Sequence, residues 1–179
     1  MEKRKYEVSP INEEEWEEFS KTNATRNLRF GTSFSVPKCW SIMATYYNHK
    51  KNSRYWSHIK IDIYKDGELW FTFYRNYSAI PPFGYLVQNG KEYLITSSNY
   101  QCITVINLTD KKMESYCLGN FEYGGGFCPT DIYVDTCYDS IDIKIEGCYW
   151  GGDYGYFILE DVNMEHFEIP EDTEIFYDD

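Results

Sequence analysis

Six cysteines are the residues of this sequence with the most varied chemistry: Cys39, Cys102, Cys117, Cys128, Cys137 and Cys148. Structural zinc is usually held by cysteines two to four residues apart, and no Cys-x-x-Cys pair occurs. The amino terminus lacks the apolar core of a signal peptide, so we expect a cytoplasmic protein. We therefore expect six reduced thiols, mostly packed as small apolar groups, with no metal site and no required disulfide.

Covalent or acid–base catalysis would need a nucleophile, a base and an orienting group close together. There are three histidines: His49, His58 and His166, the last expected on a strand. Cys128 or Cys148 paired with His58 remains open as the centre of a small hydrolase-type enzyme. The carboxylate pairs 131/135 and 139/142 are the alternative centre of such an enzyme, for acid–base work, although turns are rich in aspartate for ordinary reasons. No catalytic motif is assembled in the sequence, which favours a protein that is not an enzyme.

Two glycine-rich stretches invite comparison with phosphate-binding loops: "YGGGFCPTD" (123–131) and "YWGGDYGY" (149–156). Such a loop needs a lysine and a following helix, and both stretches lack them. We interpret the second as a hairpin turn made by Gly151, Gly152 and Gly155. The sequence therefore predicts no nucleotide and no other cofactor.

Clusters of aromatic and polar residues are the best candidates for a binding site, because Tyr, Trp and Arg are enriched at interaction hot spots. The candidates are Arg54, Tyr55, Trp56, Tyr74, Arg75, Asn76, Tyr77, Tyr100, Gln101, Tyr149 and Trp150. The alternative is that these rings pack between repeats, with Arg75 paired to a turn aspartate.

Composition restricts the partners. The 179 residues carry a net charge of −12. Aromatic residues make up 19% of the chain, and this high share favours β structure. An acidic chain is a poor ligand for nucleic acid or an anionic membrane surface, and no apolar run reaches the ~20 residues of a bilayer span. The acidic tail (171–179) is either a solvated end or a docking segment for a basic partner.

The elements that would position these residues form a repeat. Three segments align: "IDIYKDGELWFTF" (61–73), "VINLTDKKMESYC" (105–117) and "YFILEDVNMEHFEI" (156–169). Asp66, Asp110 and Asp161 coincide at the turn, and Leu69, Met113 and Met164 follow three residues later. With the strand-like runs upstream, each unit has four strands in about 45 residues, the size of a propeller blade. "EGCYWGGDYGYFILED" (146–161) then covers the second and third strands of the last unit and their hairpin.

The motifs "SRYWS", "FYRNYS", "NYQCITVINLTD", "GFCPTDI" and "EGCYWGG" resemble a family of small WD40-like β-propeller-repeat proteins of bacteria and large DNA viruses. The resemblance covers about residues 29–165. It implies an all-β fold of three propeller-blade-like antiparallel four-stranded units, as an open or incomplete propeller. It supplies no catalytic residues, since the family has no assigned activity.

The expected organisation has three parts. Residues 1–28 form an extension with a short helix near 13–21, residues 29–170 the β-repeat domain, and residues 171–179 the acidic tail. A rigid β surface without a catalytic motif predicts a non-enzymatic protein-interaction module with a protein partner. A structural or virion-associated subunit, including a homo-oligomer, is the further alternative.

Overall fold

The structure, a computed structural model, describes residues 26–29, 37, 39–51, 54–75, 80–98, 101–117, 127–137, 140–149, 152–170 and 173–177. In these ranges the chain is all-β, with three four-stranded antiparallel sheets, none of them closed. The helix expected near 13–21 lies outside the described residues. Nowhere in the described ranges is there a helix long and apolar enough to cross a bilayer.

Each sheet is a meander whose spatial order follows the chain. Sheet A contains β1 (Arg26–Arg29), β2 (Trp40–Lys51), β3 (Arg54–Lys65) and β4 (Glu68–Arg75). Sheet B contains β5 (Gly84–Gln88), β6 (Lys91–Thr96), β7 (Cys102–Asn107) and β8 (Lys112–Cys117). Sheet C contains β9 (Phe127–Asp135), β10 (Asp142–Tyr149), β11 (Tyr154–Leu159) and β12 (Phe176–Tyr177). The prediction of an all-β chain with three antiparallel sheets is confirmed, whereas the propeller-like arrangement stays a prediction. β1 begins within the segment expected to be an extension, and β12 lies within the segment expected to be the acidic tail.

The chain divides into two compact units. In the unit that contains sheet A, alternate residues of β2, β3 and β4 are buried, among them Ile42, Ala44, Ile61, Ile63 and Phe73. The opposite face of this sheet holds the nearly buried carboxylate of Asp62. It accepts a hydrogen bond from the Thr72 hydroxyl (2.6 Å) and pairs with the Lys60 ammonium (3.0 Å). The carboxylate of Asp62 is thereby satisfied by one residue on β4 and one on its own strand.

Sheets B and C belong to the other unit and share one apolar core. Leu86 and Ile95 of sheet B and Ile145 and Phe157 of sheet C are among its members. Gly84 opens β5 where a Cβ atom would lie 2.8 Å from Ile132 Cγ2 and 2.9 Å from Val134 Cγ2. The backbone of β5 therefore approaches β9 more closely than any residue with a side chain would allow.

Hairpin turns follow the turn chemistry of the sequence. Asn89 and Gly90 have φ values of 52° and 73° and join β5 to β6. Asp66 and Gly67 (51° and 87°) join β3 to β4 in the same way. Two successive residues with positive φ make the two-residue turn that matches the twist of a hairpin, and Asn, Asp and Gly adopt it at least cost.

The third aspartate turn differs from the prediction. Asp66 and Asp110 lie in hairpins as expected, whereas Asp161 is followed by a 3-10 helix (Met164–His166) and not by a strand. Asn163 caps this helix, since its side-chain oxygen accepts a hydrogen bond from Glu165 N. His166 is therefore a helix residue, and its expected place on a strand is wrong.

The side chain of Gln88 holds this irregular segment against sheet B. Its Nε2 donates to Val162 O (2.8 Å), and its Oε1 accepts from Met164 N (2.7 Å). Met164 is buried in the shared core, whereas Leu69, its counterpart in the sequence repeat, is 56% exposed. The repeat therefore fails in the last unit for the element after the aspartate turn, and also for the environment of the aligned side chain.

The cysteines also differ from the prediction. Cys102 is disulfide-bonded, which overturns the expectation of six reduced thiols. It begins β7, and the strand register places it directly opposite Cys117 of β8. Residues opposite each other on antiparallel strands have Cα atoms ~4.5–5.5 Å apart, within the range that a disulfide spans. Strand register determines which cysteines are close enough to form a disulfide, and their spacing in the sequence does not reveal it.

Candidate interaction surface on sheet C

One face of sheet C carries the most prominent group of exposed aromatic side chains among the described residues. The alternation of β10 and β11 sends Ile143, Ile145, Phe157 and Leu159 into the core. The intervening side chains point to the opposite side, which we call the outer face. It consists of Tyr133, Lys144, Glu146, Tyr154, Tyr156, Ile158 and Phe176.

Four members of the outer face are widely exposed although they are large and apolar. Tyr133 is 52% exposed, Tyr154 63%, Ile158 43% and Phe176 44%. Tyr156 and Phe176 are opposite each other on β11 and β12, and their rings stack with centroids 5.5 Å apart. The rings are held by regular strands, so the surface is formed before any partner arrives.

Lys144 occupies the centre of the outer face. Its Nζ lies 2.6 Å from Glu146 Oε1, 4.3 Å from the centroid of the Tyr156 ring and 5.8 Å from that of the Tyr133 ring. A cation over an aromatic ring within ~6 Å is attracted by the negative face of the ring. The outer face therefore already binds one ammonium group, its own, between two rings and a carboxylate.

Negative charge surrounds this arrangement. The carboxylate of Glu146 accepts a weak hydrogen bond from the Tyr133 hydroxyl (3.4 Å). The charges of Glu146 and then Asp131 raise the pKa of Tyr133 above its ordinary value, because they disfavour a phenolate beside them. The surface therefore combines apolar area with a field that attracts cations.

The residues predicted to form a binding site fall into two separate places. Arg54, Tyr55 and Trp56 begin β3, and Tyr74 and Arg75 end β4, so the antiparallel pairing brings both groups to the same end of sheet A. Tyr74 is half-buried, and Arg75 is only 2% exposed. The side chains of Arg54, Tyr55 and Trp56, and all of Asn76 and Tyr77, lie outside the described residues.

The remaining predicted residues belong to the other unit. Gln101 is half-buried in the turn before β7, and Tyr149 ends β10 opposite Phe127. Tyr100, Trp150 and the side chain of Tyr149 lie outside the described part of the chain. The role of these residues in binding stays a prediction.

Sequence reasoning missed the outer face, although its signal is present. "DIKIEGCY" (142–149) alternates apolar and polar residues, as does "YGYFIL" (154–159) with aromatic residues on the polar side. Period-two alternation identifies the solvent face of a strand. Clusters of residues adjacent in sequence do not reveal this face, because neighbours on a sheet face come from different strands.

No matching family model, curated protein or solved structure was found. The resemblance to WD40-like repeat proteins therefore stays an expectation. Within the described residues no three of His, Cys, Asp and Glu are grouped as a metal ion requires.

Proposed function

We propose that this chain is a non-enzymatic interaction module of three blade-like β units, and that the outer face of sheet C binds a basic segment of a partner protein. The observation that carries the proposal is the position of Lys144 between Tyr133, Tyr156 and Glu146. A lysine or arginine side chain of a partner that displaces the Lys144 ammonium would contact the same two rings and the Glu146 carboxylate.

Charge distribution supports a basic partner. Residues 81–179, which include sheets B and C, contain 19 acidic residues against 4 lysines and no arginine. Residues 1–80 contain 10 acidic residues against 13 basic ones, so the acidity of the chain belongs to its second part. Such an imbalance steers cationic partners and repels nucleic acid and anionic membranes.

Aromatic rings supply the binding energy that charge alone does not. Exposed charge pairs contribute little in water, whereas Tyr and Phe side chains desolvated at an interface are typical hot spots. The stacked pair Tyr156–Phe176 offers a rigid platform that loses little conformational entropy on binding. A basic segment that also carries apolar residues is thus the partner of this surface.

The proposal is tested with the full chain and a fluorescent peptide of alternating arginine, lysine and leucine residues. Binding is followed by fluorescence anisotropy, with a glutamate-substituted peptide as the second probe. We expect salt-sensitive binding of the basic peptide only. Tyr133→Ser combined with Phe176→Ser should weaken it at least about tenfold, since it removes two hot-spot rings.

Val87→Ala is the matched control, because Val87 is exposed to the same degree as Tyr133 but lies on sheet B. It should leave the affinity unchanged. The proposal is wrong if the basic peptide does not bind, if the acidic peptide binds equally well, or if the two-ring variant keeps full affinity while its thermal unfolding remains cooperative.

A further inference from the structure

Two cysteines of sheet C are opposite each other on neighbouring strands. Cys128 of β9 pairs in register with Cys148 of β10, and both are thiols in the structure. Residues directly opposite on antiparallel strands share one face of the sheet, and their Cα atoms are ~4.5–5.5 Å apart. A disulfide spans Cα separations of ~4.4–6.8 Å, so the backbone already has the spacing of a bridged pair.

The neighbouring glycine shows independently how close the two strands are. Register shifts between Glu146 and Gly147, where β9 carries an extra residue. A Cβ atom on Gly147 would collide with the carbonyl oxygen of Cys128 and lie 2.8 Å from Phe127 Cε1. The chain therefore requires glycine beside the cysteine pair, because the two backbones meet there.

Sheet B provides a precedent within the same chain. Cys102 and Cys117 have the same directly opposite register, and Cys102 is disulfide-bonded. Cys102 is thus disulfide-bonded, whereas Cys128 and Cys148 remain thiols. The backbone register of the two cross-strand cysteine pairs is the same.

We propose that Cys128 and Cys148 form a redox-active dithiol that undergoes disulfide exchange with low-molecular-weight disulfides such as oxidised glutathione. The site adjoins the outer face, since Cys148 lies opposite Tyr154, but the exchange reaction does not depend on peptide binding. The two cysteines also differ in access: Cys128 is only 3% exposed, whereas Cys148 is partly exposed. This difference assigns them different roles in the exchange.

The reaction proceeds in two displacements. Cys148, deprotonated to a thiolate, attacks one sulfur of the external disulfide, forms a mixed disulfide and releases the first small thiolate. The thiolate of Cys128 then attacks Cys148 Sγ, forms the Cys128–Cys148 bond and releases the second small thiolate. Two protons leave the protein thiols, and two electrons reduce the external disulfide to two thiols. Excess small thiol reverses both steps.

The test uses the full chain with Cys39→Ser and Cys137→Ser, which removes the other two thiols of the structure. After incubation with oxidised glutathione, the intact mass is measured without reductant. We expect loss of two hydrogen masses with no retained glutathione, and a peptide map that links Cys128 to Cys148. A stable glutathione adduct, or an unchanged mass, would overturn the proposal.

Two variants in that background separate the roles. With Cys128→Ser we expect one stable glutathione on Cys148, because the second displacement has lost its nucleophile. With Cys148→Ser we expect no modification, since Cys128 is buried. Continued loss of two hydrogens in either variant would show that a different pair reacts.

A measurement on the unmutated chain keeps the proposal testable if a variant does not fold. Phenylarsine oxide binds two adjacent thiols with release of one water. We expect uptake of one equivalent, abolished by prior oxidation with glutathione disulfide. Cys137 is the internal control for a single exposed thiol. It follows the end of β9 that is roughly 20 Å or more from Cys128, so it cannot bind phenylarsine oxide together with either cysteine of the pair. Absence of uptake, or uptake that survives the oxidation, would contradict a dithiol at 128/148.

Discussion

Gly147 of β10 and Gly155 of β11 are directly opposite each other. Neither lies in a turn, and each is needed because another strand comes too close for a side chain. At Gly147 a side chain would strike the backbone of β9, and at Gly155 a Cβ would lie 2.6 Å from Phe176 O of β12. Glycine is common where a second backbone comes close. Gly155, predicted to belong to the hairpin turn, is thus a strand residue that allows the last strand to pair.

We expect Gly147→Ala to lower the free energy of unfolding by about 1–3 kcal/mol, because the methyl group meets a carbonyl oxygen that is fixed by the sheet. Urea denaturation of the purified chain measures this. Gly67→Asn is the control, since Gly67 has φ +87° with nothing within 4 Å of a Cβ, and Asn accepts positive φ. Equal stability of Gly147→Ala and the original chain would contradict the close approach.

At the scale of strands and turns, sequence patterns predict most of the architecture. Asn89–Gly90 and Asp66–Gly67 are recognisable because few residues tolerate positive φ in succession. The alternation of "DIKIEGCY" is equally local. The 3-10 helix after Asp161 is not predictable in this way, since it depends on hydrogen bonds from Gln88, more than seventy residues earlier.

The outer face and the cysteine pairs were missed for a related reason. Whether Cys102 is near Cys117, or Tyr156 near Phe176, is decided by strand register. Register depends on turn length and bulges, and one extra residue in β9 shifts it. Sequence spacing alone therefore suggested separate thiols and clusters of adjacent aromatic residues.

The disulfide at Cys102 overturns the expectation that a reductant has no effect on stability. We expect a phosphine reductant to lower the free energy of unfolding by about 2–4 kcal/mol, as loss of a native disulfide does. Urea denaturation with and without reductant measures the change. Cys102→Ala should show a similar loss and no further response to reductant. An unchanged midpoint in the original chain would mean that the bond does not contribute to stability.

For the molecule as a whole, the protonation shifts that the structure produces have a common direction. Burial, and then the Glu114 carboxylate that accepts a hydrogen bond from the Tyr116 hydroxyl (2.7 Å), raise the pKa of Tyr116. Burial raises the pKa of Tyr93. Hydrogen bonds to Glu165 and then Asp110 raise the pKa of Lys91. In each case the folded chain keeps the proton up to a higher pH than the unfolded chain does.

These three groups should therefore make stability fall above about pH 10, where unfolded tyrosine and lysine begin to lose protons. Above that pH the unfolded state binds fewer protons than the folded state, so the free energy of unfolding decreases as pH rises. Urea midpoints measured from pH 8 to pH 11 test this. The fall should continue until the raised folded-state pKa values are passed.

The variant Tyr116→Phe tests the main contribution to the loss of stability at alkaline pH. The ring remains in edge contact with Phe167, whose centroid is 4.9 Å away, but the titrating hydroxyl is removed. We expect a shallower decline of stability above about pH 10 than in the original chain. Glu114→Gln should give an intermediate slope, because burial still raises the pKa of Tyr116 while the neighbouring charge is gone. Identical slopes in all three chains would show that Tyr116 does not link the core of sheets B and C to alkaline unfolding.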